Sequence, residues 1–293
     1  MKVPLAKEFP EIPKLKLAVV GHVEWVSFVS VKELPTHGSI NHALDFLEEP
    51  AGGGAVAAVK LSQISGVTVD FFTALGNDSI GKKCYERLSE LGLNVSASWK
   101  DKPTRKGISL VDKKGDRAIT IIGERLQPNS NDNLPWEILN EYDGVFTTAT
   151  DLKGLILCRK AKILTGTPRI DIEIIKQSNI QLDALIGSGL DSGEKFSKSN
   201  FKVLPKLIIK TKGEKGCDAW PLGEFESYKI KDNVVDSYGC GDSFAAGVTL
   251  GLAAGFDIKT CISLGSLCGA QNTQYLGPYE DSLSIKNQTK IGL

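Results

Sequence analysis

The chain has 293 residues, with 35 Lys+Arg balanced by 35 Asp+Glu, 41% hydrophobic and 24% charged residues. That length holds one large α/β domain or two small ones, and the balanced charge gives no field to draw in nucleic acid or an anionic membrane surface. The six cysteines (84, 158, 217, 240, 261 and 268) are scattered without a Cys-x-x-Cys spacing, so they read as reduced thiols rather than disulfides or a zinc site. Residues 1–16 mix charges with three prolines and offer no apolar core for a signal peptide. No later run approaches the ~20 apolar residues needed to span a bilayer, so a cytoplasmic protein with no membrane partner is expected.

Taken in order, Leu17–Val20 before Gly21 reads as a buried strand running into a tight turn. Residues 25–31 are partly alternating and β-branched, Pro35 and Gly38 break the chain, and a second short run follows at 43–47. This stretch is predicted as a hairpin rather than a crossover helix. His22, His37 and His42 all fall here, and a loop role suits them better than a metal cluster. Gly52-Gly53-Gly54 opens a helix-like run over 55–64. Those glycines fit either close approach of a ligand to a helix start or a hinge closing the hairpin. Residues 67–75 are nearly continuously apolar, as in an interior parallel strand. Residues 76–81 form a turn with Asp78 or Ser79 as N-cap to a helix over 82–91.

Residues 107–111 and 118–122 flank a polar, glycine-containing turn and are predicted as a second hairpin. Beyond them, strands are predicted at Gly144–Thr147, 161–164, 184–186 and Leu207–Thr211, with helical stretches between several. Such alternation implies a parallel sheet covered on both faces, with ligands at the carboxyl ends of its strands. Thr211-Lys-Gly213-Glu-Lys-Gly216 followed by residues 217–220 has the form of a hairpin turn. An apolar run then ends at Asp236, the turn Gly239-Cys240-Gly241 follows, and a helix is predicted over 243–254. Amides of such a turn, with those of the helix start, make an anion site. Asp242 carries a charge that opposes an anion there. It reads either as an N-cap or as a base for a hydroxyl attacking a bound phosphate. The stretch is not a Walker A loop, for want of Lys and Ser/Thr at that spacing, nor a Rossmann fingerprint. A final helix over 258–275 carries small residues at Gly265, Ser266, Cys268, Gly269 and Ala270, which suit either a slot for a flat group or helix packing.

The run Asp236-x-x-Gly239-Cys240-Gly241-Asp242-x-Phe244-x-x-Gly247 resembles the signature of the ribokinase (PfkB) family of sugar and nucleoside kinases. The likeness extends from about Leu17 to Gly277. It implies an α/β, ribokinase-like three-layer sandwich with a central, mostly parallel sheet and a small inserted β-sheet lid. Residues 1–293 would form a single kinase domain, with the lid built from about 24–50 and 96–122. The implied activity is ATP-dependent phosphorylation of a hydroxyl on a small-molecule acceptor, a sugar in the first place. A nucleoside or hydroxymethyl-pyrimidine acceptor, or a non-catalytic ligand-binding member of the fold, stands as the alternative. By resemblance Asp242 is the catalytic base and the amides of Gly239, Cys240 and Gly241 form the anion hole. Thr211, Gly213 and Gly216 form the nucleotide-side loop, and Ser266 and Gly269 flank adenine. ATP would bring Mg²⁺, a K⁺ ion would sit in the region of Asp236, and the lid would support a homodimer.

The acceptor side departs from the pattern. Val26 stands where sugar kinases grip hydroxyls with Asp, and Ala57 where they have Asn. Glu24, Asn41, Gly52 and Gly53 are left as substrate-side candidates. Strand alternation places Glu24 and Val26 on one face and Trp25 on the other. The family's Asn-x-x-Glu motif is replaced by Ser188-Gly-Leu-Asp191, which nominates Asp191 for the metal alongside Asp236.

Overall fold

The structure is a computed structural model that describes residues 9–230 and 233–280. Strand β1 (Leu17–Val20) is buried at every position, and a strand without a solvent face belongs inside a sheet covered on both sides. It pairs in parallel with β4 (Asp70–Gly76) on one side and β8 (Gly144–Thr147) on the other. Beyond β4 lies β5 (Asn94–Lys100), and beyond β8 follow β9 (Ile163–Gly166), β10 (Ala184–Ser188) and β11 (Leu207–Thr211), all parallel. Antiparallel β12 (Cys217–Trp220) and β13 (Gly223–Phe225) complete a nine-stranded sheet of order β13-β12-β11-β10-β9-β8-β1-β4-β5.

Helices cover both faces. On one lie α1 (Gly53–Ser65), α2 (Ser79–Glu90), α5 (Cys240–Ala253) and α6 (Ile258–Gln271). Their core side chains include Val59, Leu88, Ala246 and Leu264. The other face holds α3 (Leu152–Cys158) and α4 (Ile172–Ser178), which pack Leu155 and Ile175 with Trp136 and Tyr142. Three layers result, as expected from the alternation of strands and helices. Among the described residues no helix is long and apolar enough to cross a membrane.

A second sheet of four strands has the order β3-β2-β6-β7, from β2 (Glu24–Ser30), β3 (Asp45–Ala51), β6 (Lys106–Val111) and β7 (Arg117–Ile122). Both hairpins read from the sequence are present: β2 with β3, and β6 with β7. The inner face packs Val26, Phe28, Leu47 and Val111 against Val56 of α1, Tyr238 and Leu276. Register sets Val26 opposite Gly107, Gly107 opposite Ile121, and Ser109 opposite Ile119, so Ile119 and Ile121 extend that same inner face. Trp25 turns outward, as alternation required.

Several boundaries differ from the sequence reading, and three of them have a clear local cause. Residues 96–100 belong to β5, which pairs with β4 along its whole length in the large sheet, so the second half of the small sheet begins at Lys106. Helix α5 begins at Cys240 rather than 243, because Gly239 adopts φ 75° as its N-cap and lets the chain wind at once. Strand β9 runs Ile163–Gly166 because Ala161 is still held in the turn closing α3, its N–H donating to Cys158 O at 3.2 Å.

Candidate active site

Two helix N-termini meet at one point. Gly52, at φ 86°, caps α1, and a Cβ on Gly53 would stand 2.8 Å from Asp242 Oδ1. A Cβ on Gly239 would stand 2.8 Å from Val56 Cγ1. Each glycine therefore gives room to a side chain from the other helix start: Gly53 to Asp242 and Gly239 to Val56. Tyr238 holds the junction: its hydroxyl accepts from the Gly52 N–H at 3.2 Å, and its ring meets Phe28 edge-on at 4.8 Å. Its carbonyl accepts from Asn272 Nδ2, whose Oδ1 in turn accepts from the Ser243 hydroxyl at 2.9 Å.

A cavity of about 740 Å³ and another of about 680 Å³ lie on the two sides of this junction. Gly239 and Asp242 line the first, Cys240 and Gly241 the second, so the first turn of α5 is the wall between them. An α-helix start leaves its first N–H groups without helical partners. At this one the N–H groups of Gly241 and Asp242 have no backbone partner among the described residues, while the Cys240 N–H has a long contact to Ser237 O at 3.5 Å. Asp242 sits in the first turn with Gly239 as the cap, so the N-cap reading does not hold. Among the described residues no protein donor hydrogen-bonds its half-buried carboxylate. Burial pushes Asp242 up to about 6, Arg169 and Arg117 pull against that shift, and Glu194 and Glu24 add to it.

The five nucleotide-side candidates, Thr211, Gly213, Gly216, Ser266 and Gly269, all line the second cavity. The small residues of α6 divide between two faces. A Cβ on Gly247 would come 2.8 Å from Gly265 Cα, so Gly265 serves the packing against α5, whereas Ser266, Gly269 and Ala270 face the cavity. The first cavity takes in Glu24, Gly52 and Gly53.

The sequence matches the pfkB family carbohydrate kinases over residues 14–157 and 167–285. The chain belongs to this family. Fructoselysine 6-kinase of Escherichia coli (strain K12) is 24% identical over 245 residues, covering 78% of this chain and 92% of that protein. The fold is shared with a microbiome-derived acarbose kinase, at TM-score 0.77 and 19% identity over 95% of this chain and 99% of that one. It is shared also with Arabidopsis thaliana ribokinase complexed with ribose and ATP, at TM-score 0.66 and 18% identity over 90% and 94% of the two chains.

Within this pfkB framework the remaining candidates separate. Asn41 lies on the exposed loop between β2 and β3 and does not line either cavity. Asp236 is fully buried, with its two oxygens accepting from Tyr238 N at 2.9 Å and Gly277 N at 3.0 Å, and burial pushes its carboxyl up. Asp191 accepts from Gly193 N at 2.8 Å and pairs with Arg169 at 2.7 Å. The two residues nominated for metal thus do not converge. Among the described residues no three His, Cys, Asp or Glu side chains cluster as a metal site. Of the three histidines only His22 enters the site, with Nε2 at 3.3 Å from Glu24 Oε1, while His37 and His42 are exposed. Burial pushes His22 down, leaving it neutral near pH 7. Burial raises Glu24, but the His22 hydrogen bond and the charges of Arg105 and Arg169 outweigh it and keep its carboxyl low.

Sequence reasoning missed Glu194 and the arginines. Glu194 is buried, accepts from Ser188 N at 2.7 Å, pairs with Arg169 Nε at 2.6 Å, and lines the first cavity. It sits three residues past Asp191 in the same short turn, where a wider search from Ser188 could have found it. Arg105, Arg117, Arg125 and Arg169 line the same cavity. Only Arg117 had a signal, the inward alternation of β7 that it shares with Ile119 and Ile121.

Proposed function

We propose that the protein is an ATP-dependent kinase that phosphorylates a hydroxyl of a small-molecule acceptor, a sugar in the first place. ATP would occupy the 680 Å³ cavity and the acceptor the 740 Å³ cavity. The observation that carries this reading is the single carboxylate at the wall between the two, at the start of α5. Asp242, ionised above about 6, takes the proton of the acceptor hydroxyl. The hydroxyl oxygen bonds to the γ-phosphorus, the bond to the β–γ bridging oxygen breaks, and ADP leaves. Amides at the first turn of α5 face the transferring group, and the dipole of that helix favours its charge. The ATP bound to the related plant ribokinase supports the nucleotide assignment.

Mg²⁺ accompanying ATP would offset phosphate charge. Glu194, which lines the acceptor cavity, would offer a hard carboxylate oxygen of the kind it takes together with phosphates and waters, whereas Asp191 lines neither cavity. Asp236 has each oxygen engaged by a backbone N–H, so it orders the turn before α5, and no step is assigned to K⁺.

The small sheet is the lid of one kinase domain, with Ile119 and Ile121 of its inner face over the acceptor cavity. Its outer face leaves Ile108 and Ile122 exposed, which supports a homodimer through the lid, to be checked by sedimentation of Ile108→Glu. A cytoplasmic location goes with this reading. The test of function is ADP release across neutral sugars, acidic sugars, sugar phosphates and nucleosides, with wild type and Asp242→Asn in parallel. Turnover with one acceptor class and its collapse in the variant is expected. Slow ATP hydrolysis that no acceptor accelerates would refute the kinase reading.

A further inference from the structure

The acceptor cavity is crowded with guanidinium groups that the phosphoryl-transfer step does not use up. Arg105, Arg117, Arg125 and Arg169 all line it. They fall into two sets. Arg169 and Arg117 stand toward Asp242 and act on its charge, and Arg169 is paired with Glu194 at 2.6 Å and with Asp191 at 2.7 Å. Arg105 and Arg125 stand beside His22 and Glu24. Arg105 Nε is buried without a hydrogen-bond partner, 3.7 Å from Glu24 Oε2, which also has none. Arg125 donates Nη1 to the carbonyl of Arg169 at 2.7 Å and forms no ion pair among the described residues.

A neutral sugar does not explain this arrangement. One hydroxyl is satisfied by one donor and one acceptor, whereas each guanidinium presents a planar fork of donors matched to carboxylate or phosphate. Packing Arg105 and Arg125 into one half-buried corner is unfavourable on its own: burial, then Arg105 and Arg169, pull the Arg125 guanidinium below its ordinary range. Partial burial of Arg125 strengthens both that repulsion and any attraction to an anion. Glu24 faces this pair and is shared with His22 at 3.3 Å, and Asp171 acts on Arg125 from the same cavity. An anion entering from solvent would fill the free donors and relieve the crowding.

We infer that the acceptor carries its own anionic group, a carboxylate or a phosphate, held by Arg105 and Arg125 while its hydroxyl is presented to Asp242. This rests on the kinase reading of the same cavity, and it selects a charged sugar over a neutral one. Arg105 immediately precedes β6 and Arg125 lies just beyond β7, so both flank the lid strands, and an anion bound there draws the lid onto the acceptor.

The experiment compares acceptors of one skeleton: fructose against fructose 1-phosphate and fructose 6-phosphate, and glucose against gluconate. ADP release is followed with ATP and Mg²⁺. The charged member of at least one set should exceed its neutral partner by about 10²-fold or more in kcat/KM, and which set responds distinguishes phosphate from carboxylate. Arg105→Gln and Arg125→Gln, on separate segments, should each lower that charged-to-neutral ratio about 10- to 100-fold, with Arg→Lys recovering only part. The loss should appear in acceptor kcat/KM rather than in the KM for ATP. A preference for the neutral sugars, or an equal loss on both members in each variant, overturns the proposal. Calorimetry of the same probes with a non-hydrolysable ATP analogue in place separates the two readings. Binding of a charged probe that vanishes in the variants, with no ADP formed by wild type, supports the anion subsite and refutes the kinase. Turnover of neutral sugars alone supports the kinase and refutes the subsite, and failure of every charged probe to bind refutes it as well.

Discussion

Replacing Asp242 by Asn keeps the side-chain shape and removes both the base and its charge, so two readouts should move in opposite directions. Burial raises the carboxyl from an ordinary 3.8 to about 6. Ionised Asp242 is therefore less favourable in the folded chain than in the unfolded one. The sign follows: below 3.8 the group is protonated in both states and costs nothing, the penalty grows between 3.8 and about 6, and above that it is constant. A shift of that size amounts to at most about 3 kcal/mol. Asp242→Asn should thus be more stable than wild type at pH 7 by up to about 3 kcal/mol, or roughly 5 °C in Tm for a chain of this size. Near pH 4 the two should melt together. Turnover should fall by ~10²–10⁴-fold in the variant. In wild type, kcat/KM for the acceptor should drop about tenfold for each pH unit below about 6, as the base protonates. Differential scanning fluorimetry at pH 4, 5.5 and 7 beside a pH–rate profile checks both. A Tm difference that does not change with pH, together with a flat rate profile from pH 5 to 8, would refute the assignment of the base and of its raised pKa.

Three further substitutions test the surroundings. Gly53→Ala places a Cβ 2.8 Å from Asp242 Oδ1, so kcat should fall by about 10²-fold while the circular dichroism spectrum is unchanged. Glu24→Gln should weaken acceptor kcat/KM by ~1–3 kcal/mol without altering the KM for ATP, whereas Trp25→Ala, on the outward face of β2, should leave acceptor use intact. Asp183 accepts from Leu164 N at 2.8 Å, Arg159 at 2.7 Å and Lys206 at 2.8 Å; although burial opposes it, these partners keep its carboxyl low. Asp183→Ala should therefore cost about 3 kcal/mol in urea unfolding at pH 7, a gap that narrows only in acid as the native carboxylate protonates.

What the sequence made legible follows the range of the forces involved. The interior strands were readable because burial on both faces turns β1 and β4 into apolar runs, and the two hairpins because one packed face enforces alternation. The glycine turn with Asp242 was readable because a carboxylate at an anion site conflicts with its local surroundings. The edge strand β5 was not, since Asn94–Lys100 mixes polar and apolar residues and is defined by its partner β4. Asp236 looks like a ligand in sequence, but one of its oxygens closes a contact 41 residues away, to Gly277 N. Asn41 is near Glu24 in sequence yet on the far side of a loop that swings outward. Arg105, Arg125 and Arg169 come from loops or loop ends without periodicity, and only the tertiary fold brings them into one cavity.

The position of the base is a compromise between opposing fields. Helices α1 and α5 both direct their N-termini at the junction, and each carries a dipole that favours negative charge there. Arg169 and Arg117 act in the same direction, while burial, Glu194 and Glu24 act against it. Were the favourable fields alone present, Asp242 would stay near an ordinary carboxylate and accept a proton weakly. Were burial and the two glutamates alone present, its carboxyl would stand higher still and be less available as a base. The balance near 6 leaves a carboxylate that is ionised at pH 7 yet takes a proton more readily than a solvated one. Gly53 and Gly239 are what allow it, because a side chain at Gly239 would press on Val56 of α1 and one at Gly53 would displace the Asp242 carboxylate.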